Sequence, residues 1–232
     1  MPRNPAWSVA LPAGHAHVRF SLRGDGDFRV TAPADELAPR RSALVDHPWV
    51  GLRQVHGAGV VVVDHAESEP VEADAVVTAH TGVVLSVNVA DCAPIALVSP
   101  QGVIAAVHAG WRGAEAGVIE SAVDAMRGLG AIGISAWLGP CIHPECYEFG
   151  AGDLDEFASR YGPAVRGRTS TGAPALDLPM VVAAALGRAG VLLAGAADTC
   201  TSCDGGRYFS HRARRDEGRH ALAVWTSPAE SA

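Results

Sequence analysis

The 232 residues are 48% hydrophobic and 19% charged, enough for a sizeable core and unlike a disordered or fibrous chain. A formal net charge of −7 argues against a nonspecific nucleic-acid binder, though it says little about any single cleft. No apolar run reaches membrane-spanning length, and the start Met1-Pro2-Arg3-Asn4-Pro5 lacks a secretory apolar stretch. Five cysteines, an odd number, then predict a reduced, cytoplasmic protein rather than a disulfide framework.

In chain order, the alternation His17-Val18-Arg19-Phe20-Ser21-Leu22-Arg23 predicts a strand, and Gly24-Asp25-Gly26-Asp27 a turn. Residues 35–44 form a short predicted helix that Pro39 interrupts. The β-branched runs 60–63, 83–89, 95–98 and 103–107 read as strands with substantial burial. Residues 114–126 read as one helix, with Val118, Ala122 and Met126 on a stripe that Ile119 and Val123 widen. Gly128 and Gly130 suit its end. A strand over 134–138, a short helix over 154–161 and a loop over 169–174 follow. Asp177 reads as the N-cap of a helix through Arg188. Strands at 191–193 and 221–225 close the set. No repeat or long linker is present, so a single domain over residues 1–232 is expected. Strands outnumber helices, which predicts a mixed α/β (α+β) fold rather than a helix bundle.

Three junctions concentrate chemistry. His108-Ala109-Gly110-Trp111-Arg112-Gly113 places an imidazole at a strand end, then a turn, an indole and a guanidinium. Ala90-Asp91-Cys92-Ala93-Pro94 places a thiol beyond another apolar run, and Arg53-Gln54-Val55-His56-Gly57 adds a second imidazole. Two imidazoles and a thiolate suffice for a catalytic zinc with an open position; spacing along the chain does not prove that they meet. Taken singly, each histidine reads as an ordinary hydrogen-bonded residue and Cys92 as a buried apolar thiol.

These blocks resemble the YfiH/YlmD family, also called the laccase-domain or polyphenol-oxidoreductase family. The resemblance includes Gln54-Val55-His56-Gly57, Ala73-Asp74-Ala75 and the Cys92 and His108 blocks. It continues through Leu138-Gly139-Pro140, Cys146-Tyr147-Glu148-Phe149-Gly150, Cys200-Thr201, Phe209-Ser210 and Gly218-Arg219. Their ordered combination over roughly residues 41–225 is specific where any one block is weak. The resemblance implies mixed β-sheets layered between helices, a YfiH-like fold. It implies a metal site formed by His56, Cys92 and His108, usually with zinc (copper in older naming). It also implies phosphorolysis of purine nucleosides such as adenosine and inosine, with adenosine deamination as a further activity. The implied partners are a purine nucleoside and phosphate, with no nucleic acid and no membrane; oligomeric state carries no signal.

Within that reading Cys92, His108 and Arg112 carry the catalytic roles. Arg112 is the first candidate to hold phosphate, near the start of the predicted 114–126 helix, and Arg53 the second. Asp91 reads as a structural carboxylate, and Trp111 as packing at the helix entrance in preference to stacking on a purine. Tyr147 and Glu148 suit either pocket shaping or structure. Phe209, Arg212 and Arg219 read as packing and a solvated basic face. Cys200-Thr201-Ser202-Cys203 is a CxxC without a second pair, so packing thiols are the expectation, with Cys141 and Cys146 not expected to complete a zinc site.

The chain departs from the family pattern in three places. Its Arg23-Gly24-Asp25-Gly26 turn lacks a longer segment containing Leu-Asn-Leu. His211 stands where Tyr is common, and Cys141 and His143 enrich a block usually poorer in metal-capable groups. Competing functions are a copper-dependent polyphenol oxidase (laccase) and a Cys92/His108 amidase editing a peptidoglycan precursor. The only HxH pair, His15 and His17, falls short of a multicopper pattern. A metal-stabilised interaction domain is the nonenzymatic reading.

Overall fold

Residues 104–109 are buried throughout, yet successive side chains serve different cores. Ile104 and Ala106 join one apolar cluster; Ala105, Val107 and Ala109 join another. The two-residue period of an extended chain produces this division, and it requires cover on both faces of the sheet.

The computed structural model describes residues 5–65 and 70–229; the first four residues, part of the start read above for a secretory stretch, lie outside them. The first half contains β1 (Ala6–Leu11), β2 (Gly14–Phe20), α1 (Ala34–Leu44), β3 (Trp49–Val50), β4 (Leu52–Arg53), β5 (Val60–Val62), β6 (Val71–Glu72), β7 (Ala75–Thr78), β8 (Val84–Val89), β9 (Ala93–Val98) and β10 (Ile104–Ala109). The second contains α2 (Trp111–Ala116), α3 (Val118–Gly128), β11 (Ser135–Leu138), α4 (Ala151–Tyr161), β12 (Arg166–Arg168), β13 (Pro174–Leu176), α5 (Leu178–Arg188), β14 (Leu192–Ala196), α6 (His211–Arg214) and β15 (His220–Pro228).

Two mixed sheets organise the chain. One runs β1-β2-β15-β8-β3 and the other β14-β11-β9-β10-β7-β5. Pairs β3–β8, β5–β7 and β11–β14 are parallel, while β9–β10 and β8–β15 are antiparallel. Phe20, Leu85, Val87 and Val89 of the first sheet meet Val76, Ala96, Val98 and Ile104 of the second in a core between the sheets. The far face of the second sheet is covered by α3, α4 and α5 through Ile119, Val123, Met126, Phe157, Val181 and Leu186. The far face of the first sheet is covered by α1 through Leu37 and Leu44. Each such fully buried aliphatic side chain contributes roughly 1.5–3 kcal/mol before entropy is counted. The architecture is therefore mixed sheets layered between helices, as the family resemblance implies.

Local chemistry explains the departures from the predicted elements. The helix predicted over 114–126 is two helices, α2 and α3, because Gly117 adopts φ 90° and ends the first of them. α1 runs through Pro39, whose missing amide would have bonded the Asp35 carbonyl; both residues are on the exposed side of the helix, away from the apolar core. Of the predicted loop 169–174, residues 169–173 form the tip of the β12–β13 hairpin, and Pro174 begins β13 opposite Arg168. Asp177 caps α5 as predicted, accepting the Met180 amide at 3.0 Å.

Candidate metal centre

Cys92 lies in the tight connection from β8 to β9, and His108 is the penultimate residue of β10. His108 pairs with Pro94 across the ladder and shares the parity of Ile104 and Ala106, so it faces the space between the sheets. His56 comes from the loop after β4. Gln54 anchors that loop by imitating a strand: its Oε1 accepts the Asn88 amide at 2.7 Å and its Nε2 donates to the Asn88 carbonyl at 2.8 Å.

These three segments bring His56, Cys92 and His108 together, with one ligand atom of each within 4.8 Å of the others. Cys92 Sγ lies 3.8 Å from His56 Nε2, and the imidazoles meet edge to face at 4.7 Å between centroids. Burial increases from His56, which is exposed, through Cys92 to His108, which is 2% exposed. A side chain at Gly110 would fill the gap: its Cβ would fall 2.8 Å from His56 Cδ2 and 3.0 Å from Cys92 Sγ. Two imidazole nitrogens and a thiolate around such a cradle fit a tetrahedral divalent ion with one position open.

Asp74, wholly buried at the entry to β7, organises the cluster. Its Oδ1 accepts His108 Nδ1 at 2.8 Å and the His56 amide at 2.9 Å. Its Oδ2 accepts the amides of Gly57 at 2.7 Å and Val55 at 3.2 Å. The carboxylate thus puts the proton of His108 on Nδ1 and aims Nε2 at the site, as outer partners of metal-bound histidines do. Three successive amides also curl around it, and His56 takes φ 61° to allow this. Burial works against the Asp74 charge, but His108 and the Gly57 amide outweigh it and hold the carboxyl below its ordinary range. Asp74 stood inside a quoted family block without a role. Its signal was a carboxylate at the head of the apolar run Ala75-Val76-Val77.

Electrostatics ties Cys92 to His108. Burial pushes the thiol up, yet the adjoining His108 and His56 bring it down to about 6. Burial likewise pulls His108 down, while Cys92 and Asp74 raise it to about 9. Without a cation the site is a thiolate–imidazolium pair; a divalent ion would take the place of the His108 Nε2 proton.

Asp91 also has a positive φ, 88°. Its Oδ1 accepts Thr201 Oγ1 at 2.7 Å, its Oδ2 the Arg212 amide at 2.7 Å, and its carbonyl the Ile142 amide at 2.8 Å. These bonds hold a conformation that costs of order 1–3 kcal/mol immediately before Cys92.

A cleft of about 510 Å³ opens over the cluster, within the range of small-molecule sites. Arg53 and Gln54 line it, together with Arg29, Asn88, His211 and Arg219. Arg29 and Arg219, not singled out from sequence as site residues, also line an adjoining hollow of about 440 Å³. Arg53 pairs with Glu72 at 3.2 Å. Arg29 pairs with Asp27 at 2.6 Å and Glu217 at 3.3 Å, and Arg219 donates Nη1 to the carbonyls of residues 216–218.

Arg112 is exposed, stacks over Trp111 at 4.4 Å and is not among the residues lining the cleft. The helix that bears it has six residues, so the dipole of a long helix does not assist it. Trp111 meets Phe149 edge-on at 5.5 Å. Tyr147 carries Arg212 over its ring at 4.9 Å; burial and then Cys92 raise its pKa, and both Arg212 and Arg112 oppose that. Phe209 packs on His220, and Arg23 lies over its ring while pairing with Asp216. His15 and His17 sit on β2, with His17 against Trp225 and Ser227. Among the described residues they belong to no metal-capable group.

Residues 18–227 match a family model described as multi-copper polyphenol oxidoreductase laccase. Purine nucleoside phosphorylase ORF3 of Streptomyces griseus is 41% identical over 225 residues, covering 93% of this chain and 89% of that protein. Purine nucleoside phosphorylase SCO2081 of Streptomyces coelicolor is 42% identical, covering 87% and 84%. Among solved structures, Neisseria meningitidis protein NMB0706 superposes with a TM-score of 0.82 at 25% identity, covering 97% of this chain and all of that one. YlmD from Geobacillus stearothermophilus gives 0.77 at 26%, covering 93% of each. The ordered motifs, the layered sheets and these matches agree: the chain belongs to the multi-copper polyphenol oxidoreductase laccase family, of which YlmD-like proteins are the structural neighbours.

Proposed function

We propose that the protein is a zinc-containing purine nucleoside phosphorylase that cleaves adenosine or inosine with phosphate to free base and ribose 1-phosphate. The observation that carries this reading is the convergence of His56, Cys92 and His108, with Asp74 behind them, beneath a nucleoside-sized cleft bordered by arginines. The relatives' names supply the reaction class. We read residues 1–232 as one catalytic domain. We read the setting as cytoplasmic; no helix among the described residues is long and apolar enough to cross a membrane.

His56, Cys92 and His108 would hold the zinc, which when bound supplies a Lewis acid that polarises a substrate oxygen. Asp74 fixes the tautomer of His108 and the backbone of His56, so the ligand set is formed in advance. The cleft holds the nucleoside. Arg112 is retained as the first candidate to hold phosphate because no carboxylate among the described residues pairs with it, although it stands outside the residues that line the cleft. Arg53 assists from the cleft wall once released from Glu72. Arg29 and Arg219 are committed to carboxylates and carbonyls, so they set the potential of the wall. A phosphate oxygen attacks the anomeric carbon as the glycosidic C–N bond breaks, and the purine leaves with that electron pair and takes up a proton.

The test is to incubate zinc-loaded protein with inosine or adenosine, with and without phosphate, and separate the products. Ribose 1-phosphate that requires phosphate supports the proposal; no base release under any metal condition refutes it. Conversion of adenosine to inosine without phosphate would establish deamination as a further activity. The sequence Cys92–His108–Asp74 also matches the order of groups in a cysteine hydrolase. An acyl adduct trapped on Cys92 would favour that second reading.

A further inference from the structure

A second group of metal-capable side chains is present among the described residues. Glu145, Cys146, Cys200 and Cys203 come from two separate turns, and their ligand atoms all lie within 4.8 Å of one another. Cys146 Sγ lies 3.3 Å from Cys203 Sγ, and Cys203 Sγ 3.6 Å from Glu145 Oε1. Nothing in the chemistry proposed above uses them. We propose that these four residues form a second, structural site for a thiophilic divalent ion of the zinc class.

The distances suit a tetrahedron. With Zn–S about 2.3 Å and Zn–O about 2.0 Å, its edges are about 3.8 Å between sulfurs and about 3.5 Å between sulfur and oxygen. The Cys203–Glu145 separation matches the second value. The Cys146–Cys203 separation is about half an ångström below the first, and far beyond the roughly 2.05 Å of a disulfide.

The surroundings supply outer partners for the ligands. The His143 amide donates to Cys200 Sγ at 3.4 Å. That bond gives Cys200 the outer donor that a ligating sulfur needs. Three thiolates and a carboxylate around a dication leave a net negative charge. Arg214 sits against it, donating Nη1 to the Ser202 carbonyl at 3.0 Å and Nη2 to the Thr201 carbonyl at 3.2 Å. Exposure grades from buried Cys200 through half-buried Glu145 and Cys146 to exposed Cys203, which provides an entry path.

The position gives the ion a purpose. Thr201 follows Cys200 and donates its hydroxyl to Asp91, and Ile142, three residues before Glu145, donates its amide to the Asp91 carbonyl. An ion joining these two segments braces the positive-φ residue that precedes Cys92. The CxxC spacing alone showed no second pair because the remaining ligands, Glu145 and Cys146, stand more than fifty positions upstream.

The experiment strips the full chain with a chelator, reconstitutes it with Zn²⁺ or Co²⁺, and measures metal per chain by elemental analysis. Wild type should bind two equivalents, and Cys203→Ser and Cys92→Ser one each. The Co²⁺ form of Cys92→Ser should keep a strong sulfur-to-metal charge-transfer band, whereas Cys203→Ser should show a weaker one from a single sulfur. Alkylation of wild-type Cys146 and Cys203, read by mass spectrometry, should slow at least tenfold with zinc; this needs no variant to fold. A single equivalent in wild type that Cys203→Ser keeps and Cys92→Ser loses overturns the proposal. So do alkylation rates indifferent to zinc, or a loss of two hydrogens marking a Cys146–Cys203 disulfide in the freshly isolated protein.

Discussion

Replacing Asp74 by asparagine keeps the size of the side chain and removes its ability to accept on both ends. In the native protein one oxygen serves His108 Nδ1 and the His56 amide, and the other serves the amides of Gly57 and Val55. An asparagine must place its NH₂ against one of these pairs, so whichever way the amide turns, two donors face a donor. Each hydrogen bond to a buried carboxylate is worth about 1.5–3 kcal/mol, and two of them about 3–6 kcal/mol. Asp74→Asn should therefore lower the unfolding free energy of the metal-free chain by that amount. If the lost pair is that of His108, zinc affinity should also fall roughly 10–100-fold, the usual effect of losing an outer partner of a metal-bound histidine. Urea unfolding in chelator measures the first quantity, and competition with a chromogenic chelator the second. A variant with the wild-type urea midpoint and wild-type zinc affinity would refute the view that Asp74 builds the site.

Three further substitutions probe other parts of the argument. Gly110→Ala leaves an ordinary backbone, φ −72°, but drives a Cβ into His56 and Cys92; zinc affinity should fall roughly tenfold or more. Because His56 can swing outward, folding of the metal-free chain should change by less than about 1 kcal/mol, and equal affinity in the same competition assay would count against the cradle. Gly117→Ala must hold φ 90° at the α2–α3 break and should cost about 1–2 kcal/mol in urea; a neutral result would show that the break can relax. His220 is buried, and its Nε2 accepts the Phe209 amide at 2.6 Å; burial, then the charge of Arg23, lowers its pKa from 6.5 to about 3. The unfolded chain takes up this proton as pH falls below 6.5 and the folded chain does not, so about 2 kcal/mol of stability is lost by pH 5 and none above pH 7. His220→Gln keeps an acceptor without the titration, so its urea midpoint should fall less than that of wild type between pH 6.5 and 5. Parallel slopes for the two proteins would disprove the assignment.

The two kinds of information divided along physical lines. Runs such as 83–89, 95–98 and 103–107 were legible because β-branched residues need no partner to be recognised, though strands β9 and β10 extend beyond them at one end or the other, and the α5 cap was legible because Asp177 acts on an amide three residues away. The break at Gly117 was passed over because the apolar stripe continues across it while only the backbone angle changes. Strands β3, β4 and β6 have two residues each, too short for any periodicity to show.

At the site, residue types permitted His56, Cys92 and His108 as a sufficient ligand set, because nitrogen and sulfur donors declare their chemistry without a fold, and the family resemblance singled these three out. Whether they meet depended on sheet register, which sets His108 opposite Pro94 and both on the face toward the first sheet. Only the folded chain could give Asp74 its role, since a carboxylate becomes an orienting group through the donors that surround it. The same holds for the arginines: sequence can count guanidiniums, but the tertiary structure decides which are already engaged by carboxylates and carbonyls. Ligand identity is a property of single side chains and survives in the sequence; convergence, orientation and free charge are properties of pairs distant along the chain, and only packing creates them.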